Sequence, residues 1–456
     1  MREQNTEHRI QNTDYRILPR LDSVLVGVEL KRKPAAFAIQ DSMAELERLA
    51  ETAGLSVVSQ TIQKVERLHP ATMIGKGKLQ EIVAQREDLP YDVLIFNDEL
   101  HPNQQREIEN AFDGADIKVL DRTALILDIF AQHARTREGS LQVELAQYEY
   151  RLPRLTRMWT HLGRQTGGAA GRGGAGGVGL RGPGERQLEL DRREIRARIA
   201  HLKSEIERVR KQRGEQRRKR QREGIPVVSI VGYTNAGKST LLNALTDSDI
   251  YVADQLFATL DPTTRRVRLP SGQEVLFSDT VGFIEKLPTQ LIAAFRATLE
   301  EISEANVLLH VVDITHPNAL AQVSAVEETL EEIGVTDKPT VMALNKIDAI
   351  ELPKNNLGGE ATARFIGQWL EEFPDAIPIS AQRGLGLETL LERVEDALGS
   401  QLVEVRVRIP YHAAELVNVF HRKGIIVKQE YSPEGTLLEG KIPAALAREL
   451  ERYRVS

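Results

Sequence analysis

Gly232-Tyr233-Thr234-Asn235-Ala236-Gly237-Lys238-Ser239 reads G-x4-G-K-S. The apolar run Val227-Val228-Ser229-Ile230-Val231 precedes it, and Leu241-Leu242-Asn243-Ala244-Leu245 follows it. A buried strand, a glycine turn and the start of a helix form the setting a phosphate loop requires. Glycines let backbone N–H groups converge on phosphate oxygens at the positive end of the helix dipole. Lys238 is placed to reach the β- and γ-phosphates and the Ser239 hydroxyl to bind Mg²⁺. The bland alternative is a plain glycine turn. Further segments in fixed order weigh against it.

Asp279 closes the run Glu274-Val275-Leu276-Phe277-Ser278 and opens Asp279-Thr280-Val281-Gly282. A carboxylate at that strand edge can hold the magnesium shell, and the Gly282 N–H can sense a γ-phosphate. Asn345-Lys346-Ile347-Asp348 follows Thr340-Val341-Met342-Ala343-Leu344. The Asp348 carboxylate can accept both N1–H and N2–H₂ of guanine. Adenine lacks that donor pair, so binding it would leave a carboxylate unpaired. Ser380-Ala381-Gln382 follows Ile377-Pro378-Ile379, and the Ala381 N–H can meet guanine O6. The substrate predicted is GTP, with GDP as product and Mg²⁺ as cofactor. Lys238, Thr259 and Gly282 are the catalytic candidates.

The threonine that would ligate Mg²⁺ directly lies in Leu256-Phe257-Ala258-Thr259-Leu260-Asp261-Pro262-Thr263-Thr264. Thr259 is favoured, because Phe257-Ala258-Thr259 resembles the switch of translation-associated GTPases. Thr263 and Thr264 fit better as the start of the next strand. Phe283 stands where many signalling GTPases carry a water-positioning glutamine, and a phenyl ring cannot orient a water. Slow turnover alone, with a partner completing the site, is the expectation. Asn235 has two readings. It matches the asparagine of potassium-stimulated GTPases, where K⁺ helps neutralise phosphate charge, and it equally fits a turn.

With 456 residues, 41% hydrophobic and 28% charged, the chain has ample core for two to four domains. It contains no cysteine, which excludes disulfides, thiolate nucleophiles and cysteine-ligated metals. No apolar run approaches the ~20 residues of a membrane span. The start, Met1-Arg2-Glu3-Gln4-Asn5, lacks a signal-peptide core. A cytoplasmic protein without membrane insertion is expected, with a monomer as the default.

Net charge is −6, but residues 151–224 carry 21 Lys/Arg against 8 Asp/Glu, leaving −19 on the remainder. A basic element on an acidic body suggests a localised polyanion contact. Leu141, Leu145, Tyr148, Leu152 and Leu155 form one coiled-coil-like stripe, and Ile195, Ile199, Leu202, Ile206 and Val209 another. Between them, positions 163–184 hold 11 of the 33 glycines, interleaved with Arg164, Arg172 and Arg181. Two antiparallel helices joined by a glycine–arginine loop is the simplest reading, with Pro153 kinking or ending the first. The second is expected over about residues 186–211, roughly 39 Å long. Glycine allows close approach, and arginine binds phosphates and stacks on bases, which suits structured RNA. A flexible interdomain linker is the rival reading, although a linker needs neither arginines nor helical stripes.

Strand candidates Val24 to Leu30, Leu55 to Ser59, Asp92 to Phe96 and Ile117 to Leu120 alternate with helical stretches, as in a parallel sheet. Ile74-Gly75-Lys76-Gly77-Lys78 lacks phosphate-loop spacing and reads as a basic turn before a helix. Asp121-Arg122-Thr123 can cap the next helix. The last 55 residues read β-α-β-β-α. The fold class is therefore α/β. A tail (1–20) is followed by an N-terminal α/β domain (21–135) and a helical coiled-coil arm (136–224). A phosphate-loop GTPase domain with a mostly parallel sheet (225–400) and a small α+β domain (401–456) complete it.

Along most of its length the chain resembles the HflX-type GTPases. The resemblance rests on Ile74 to Lys78, Phe96-Asn97-Asp98-Glu99-Leu100, Asp121-Arg122-Thr123-Ala124-Leu125-Ile126-Leu127-Asp128-Ile129-Phe130 and Gln142-Val143-Glu144-Leu145-Ala146-Gln147. It continues through the glycine-rich loop, Gly232 to Asn235, Phe257 to Asp261 and Asp279 to Phe283. It implies a cytoplasmic GTPase that associates with the large ribosomal subunit and its rRNA and separates or rescues ribosomes under stress. Some members also bind ATP through the N-terminal domain, for which no motif is recognised here. Two rivals are a GTPase gating RNA modification or subunit assembly, and a non-hydrolysing GTP-dependent scaffold.

Overall fold

The fold is described from a computed structural model over residues 21–31, 37–112, 117–155, 183–223, 225–246, 256–257, 263–285, 301–350, 358–399 and 402–455. Ala258, Thr259, Leu260 and Asp261, the tail 1–20 and the glycine–arginine loop before residue 183 lie outside the described residues.

Four parallel strands form the N-terminal sheet: β1 (Asp22–Leu30), β2 (Ser56–Val65), β3 (Val93–Phe96) and β4 (Lys118–Asp121), in the order β2-β1-β3-β4. Parallel pairing needs crossovers, and helices supply them. They are α1 (Ile39–Thr52), α2 (Lys76–Asp88), α3 (Pro102–Asn110) and α4 (Arg122–His133). Alternate strand residues face opposite cores. Leu25, Val93 and Ile95 pack with α1 and α4, while Val24, Val26, Leu94 and Phe96 pack with α2 and α3. Asp121 caps α4 by accepting the Ala124 N–H at 2.8 Å, as its sequence position predicts.

Helix α5 (Arg137–Arg151) ends where Pro153 enters, in a 3₁₀ turn over Leu152–Arg154. Helix α6 (Pro183–Glu223) has 41 residues, longer than the 186–211 expected. Its extra C-terminal turns carry Arg, Lys, Gln and Glu, all good helix formers, with Gly214 as the sole weak position. Burial follows the expected stripe. Leu202 is buried and Ile195, Ile199, Ile206 and Val209 are partly buried, while most of their neighbours are exposed. Arg198–Glu144 and Lys203–Glu149 ion pairs join α6 to α5.

The central sheet has the order β10-β9-β8-β5-β7-β6, with only β6 antiparallel. Its elements are β5 (Val227–Val231), α7 (Lys238–Thr246), β6 (Thr263–Arg268), β7 (Glu274–Asp279), β8 (Val307–Asp313), α8 (Ala319–Glu332), β9 (Thr340–Asn345), α9 (Gly358–Glu372), β10 (Ile377–Pro378) and α10 (Leu387–Gly399). The phosphate loop, Asp279, Asn345 and the Ser380 segment each follow the C-terminal end of a parallel strand, where ligands of open α/β sheets bind. The last unit is a three-stranded antiparallel sheet of β11 (Leu402–Ile409), β13 (Gly435–Pro443) and β12 (Ile425–Ser432). Helices α11 (Ala414–Lys423) and α12 (Ala444–Leu450) pack their apolar residues on it.

Candidate nucleotide site

The turn between β5 and α7 has the shape its residues dictate. Gly237 has φ 94°, and a Cβ there would lie 2.3 Å from Asn345 Nδ2, so only glycine fits. Asn235 has φ 60°, a left-handed backbone that asparagine tolerates better than most residues. That conformation fits the reading of Asn235 as a turn residue. Gly232, Tyr233, Thr234 and Ala236 complete the turn, and Tyr233, Thr234 and Ala236 are buried.

Lys238 is 6% exposed, and its Nζ donates to the carbonyls of Gly232 (3.1 Å) and Tyr233 (2.8 Å). Two of its three N–H groups thus tie the loop's first residues, and one remains for a phosphate oxygen. Burial pushes the ammonium down to about 8, opposed by the Asp279 carboxylate. His310 on β8 is fully buried nearby. Burial, then the Lys238 charge, pushes it down to about 4, so it is neutral at pH 7 and adds no second cation to the loop.

Ser239 Oγ donates to Asp279 Oδ2 at 2.6 Å, which sets a hydroxyl and a carboxylate side by side. Hard oxygen donors of this kind suit Mg²⁺, whose remaining positions phosphates and water fill. Thr280 Oγ1 bonds the Ile230 carbonyl at 2.6 Å and fixes the exit from β7 against β5. Val281 packs on the N-terminal core. Gly282 then lies on the phosphate loop. A Cβ there would meet Thr234 Cγ2 at 2.7 Å, Thr234 Cα at 2.8 Å and Lys238 Nζ at 3.1 Å. Phe283 is buried, and its backbone pairs with the loop through Phe283 N–H to Gly232 O (3.1 Å) and Thr234 N–H to Phe283 O (2.7 Å). The ring at 283 is therefore part of the core. Phe257 packs edge-on against Phe130 at 4.6 Å between ring centres.

On the base side, Asn345 is 2% exposed and acts as a staple. Its Nδ2 donates to Ala236 O at 2.8 Å, and its Oδ1 accepts the Ala381 N–H at 3.0 Å. The Ala381 N–H, aimed at guanine O6 by the sequence reading, is thus held by Asn345 here. Lys346 has φ 69° and pairs with Asp313 Oδ2 at 2.7 Å. Ile347 begins a 3₁₀ turn that carries Asp348, whose carboxylate has Arg383 at 3.6 Å. Ser380 Oγ accepts the Arg383 N–H at 3.1 Å across the turn containing Gln382. Sequence reasoning missed Asp313 and Arg383. Asp313 had a signal, as the first polar residue after Val307 to Val312 at a third strand end. Arg383 had none.

Three family models match the chain along this layout. They are "GTP-binding GTPase N-terminal" over residues 40–131, "GTP-binding GTPase Middle Region" over 133–220 and "50S ribosome-binding GTPase" over 227–346. A GTPase HflX from Caldanaerobacter subterraneus subsp. tengcongensis is 42% identical over 417 residues, 91% of each chain. The GTPase HflX of Escherichia coli is 40% identical over 404 residues, 88% of this chain and 90% of its own. The chain belongs to the HflX family of GTPases. It is accordingly a GTP-binding enzyme that hydrolyses GTP. Within this HflX-family fold, the strand ends gather the loop, Asp279, Gly282, Asn345 and Ala381 around one site. Among the described residues no helix is long and apolar enough to cross a membrane.

Proposed function

We propose that this protein is a GTP-driven factor of the large ribosomal subunit that splits or rescues ribosomes under stress. The supporting observation is the union of a GTPase domain with α6, a helix of 41 residues and about 60 Å. That helix belongs to the segment of residues 151–224, with 21 basic against 8 acidic residues. A rigid cationic rod leading from the glycine–arginine loop is suited to ribosomal RNA. The description of the model matching residues 227–346 names the same particle.

In the reaction, water attacks the γ-phosphorus and the bond to the β–γ bridging oxygen breaks, giving GDP and phosphate. The third N–H of Lys238 meets the charge developing on the phosphate oxygens, and the Gly282 N–H meets the γ-phosphate. Ser239, Thr259 and the Asp279 shell would hold Mg²⁺, which would supply charge neutralisation to the phosphates. Asp348 accepts from guanine N1–H and N2–H₂. The protein works as a cytoplasmic monomer. Because Phe283 is buried and apolar, the ribosome completes the site. The test is GTP turnover with and without purified large subunits. Strong stimulation, abolished by Lys238→Ala and weakened by deletion of residues 163–184 with GTP affinity intact, is expected. No stimulation despite tight GTP binding would overturn the reading.

A further inference from the structure

Tyr233 stands in the middle of the phosphate loop, yet its hydroxyl leaves the nucleotide site and enters the N-terminal domain. It donates to Glu45 Oε2 on α1 at 2.5 Å, across 188 residues of sequence, and accepts the Glu285 N–H at 2.7 Å. Glu45 Oε1 pairs with Arg122 at the start of α4. Arg122 Nη1 donates to Asn97 Oδ1 (2.8 Å), Asn97 Nδ2 to Ser42 Oγ (2.9 Å), and Ser42 Oγ to Glu285 Oε2 (2.6 Å). The bonds close a circuit. It starts on the phosphate loop, passes through four side chains of the N-terminal domain, and returns through Glu285, three residues beyond Gly282.

Most of the circuit is buried: Asn97 is 0% exposed, Arg122 2%, Ser42 3%, Tyr233 4% and Glu285 8%, while the Glu45 side chain is 15% exposed. Burial, then the Glu45 carboxylate, pushes the Tyr233 hydroxyl well up, so it stays a donor. Burial also pushes Glu45 up, opposed chiefly by Arg122. Polar groups this deep are costly unless paired, and each side chain of the circuit has partners here, with only the Arg122 Nε left unpaired among the circuit's buried side-chain atoms. The pairing reaches the γ-phosphate side of the loop. Phe283, between Gly282 and Glu285, is backbone-paired to Gly232 and Thr234, so fixing Tyr233 and Glu285 fixes how Gly282 lies over Lys238.

We propose that Glu45, Arg122, Asn97 and Ser42 of the N-terminal domain are positioning residues for the γ-phosphate site, acting through Tyr233 and Glu285. The N-terminal domain thereby reads whether GTP or GDP is bound. By linkage, a γ-phosphate that engages Gly282 strengthens the interdomain circuit, and the circuit strengthens γ-phosphate binding by the same factor. GDP, which does not reach Gly282, is indifferent to it. This inference rests on GTP binding alone and not on the ribosomal reading.

The test uses the full chain with Tyr233→Phe and Ser42→Ala, each of which deletes one hydroxyl from opposite sides of the circuit. Affinities are measured for fluorescent GDP and a non-hydrolysable fluorescent GTP analogue. Each variant is expected to weaken the GTP analogue about 10-fold, within the usual range of coupling between sites, and to leave GDP within about twofold. The double variant should be no worse than the poorer single one, because one broken circuit cannot be broken twice. Steady-state kcat should fall with the analogue's affinity. Equal losses for GDP and the analogue, or no loss for either, would overturn the proposal, as would full additivity of the two substitutions. Ser42→Ala lies in the N-terminal domain, so it keeps the test valid if Tyr233→Phe disturbs the loop itself.

Discussion

Asn345→Ala removes the staple between the phosphate loop and the base-side turn. Two bonds go, at 2.8 Å to Ala236 O and 3.0 Å from Ala381 N–H, in a place where Asn345 is 2% exposed. A buried polar group left without its partner costs about 1–3 kcal/mol, so the two cost about 2–6 kcal/mol. In the free variant the loops relax until water satisfies both groups, and nucleotide binding has to reverse that relaxation. The loss therefore surfaces in affinity. At about 1.4 kcal/mol per decade, even the lower bound predicts binding weakened about 30-fold. Neither bond involves a γ-phosphate, so GTP and GDP weaken alike. Asn345→Asp keeps an acceptor for Ala381 but sets a carboxylate oxygen against the Ala236 carbonyl, and it should not rescue. Fluorescent-nucleotide titration of both variants decides the matter. Affinity within threefold of the parent, or a loss confined to GTP, would refute the staple argument.

Three further outcomes follow from two single groups. Burial holds Lys238 at about 8, and a phosphate favours its charged form, so a protein that has lost the proton must regain it to bind. GTP affinity should be level below about pH 8 and fall above it by at most about tenfold per unit. In Lys238→Arg, which keeps its charge, the pH profile should stay flat. The same depression means that burial of the charged lysine costs stability below pH 8, and this cost is relieved as pH rises from there toward the ordinary lysine value of about 10.4. Nucleotide-free protein should therefore gain stability over that window in denaturant titrations. Asp348→Asn replaces an acceptor of guanine donors with an amide that can donate to the O2 of xanthine. Preference should move from GTP to XTP by on the order of 10²-fold or more, read by competition binding.

The nucleotide site was legible because its information is local. Eight consecutive residues set the turn around Lys238, and apolar runs before Gly232, Asp279 and Asn345 place each motif at a strand end. Strand β2 was less legible. Leu55 to Ser59 reads as a strand, but β2 runs on to Val65 through Gln60, Thr61, Gln63 and Lys64. It pairs with β1 along its length, with one register shift between Ser23 and Val24, at the sheet edge, where partly exposed polar side chains are tolerated. The overrun of α6 has a similar origin. Its last turns have no apolar stripe, and the helix continues on propensity alone.

What no window of sequence could show is why position 233 is a tyrosine. A phosphate loop asks little of that residue, and a turn would accept many side chains there. The phenol is explained by Glu45 and Glu285, one 188 residues before it and the other 52 after it. Arg122 is the same case from the other side. It looks like the first residue of a helix, normally a solvated place, yet it is 2% exposed with Asn97 and Glu45 as partners. A buried guanidinium without partners would cost several kcal/mol. Both partners are of the N-terminal domain, and one of them, Glu45, also accepts the Tyr233 hydroxyl of the phosphate loop. A tyrosine that exceeds what its loop requires and an arginine buried where a helix start would be solvated thus point to the same interface.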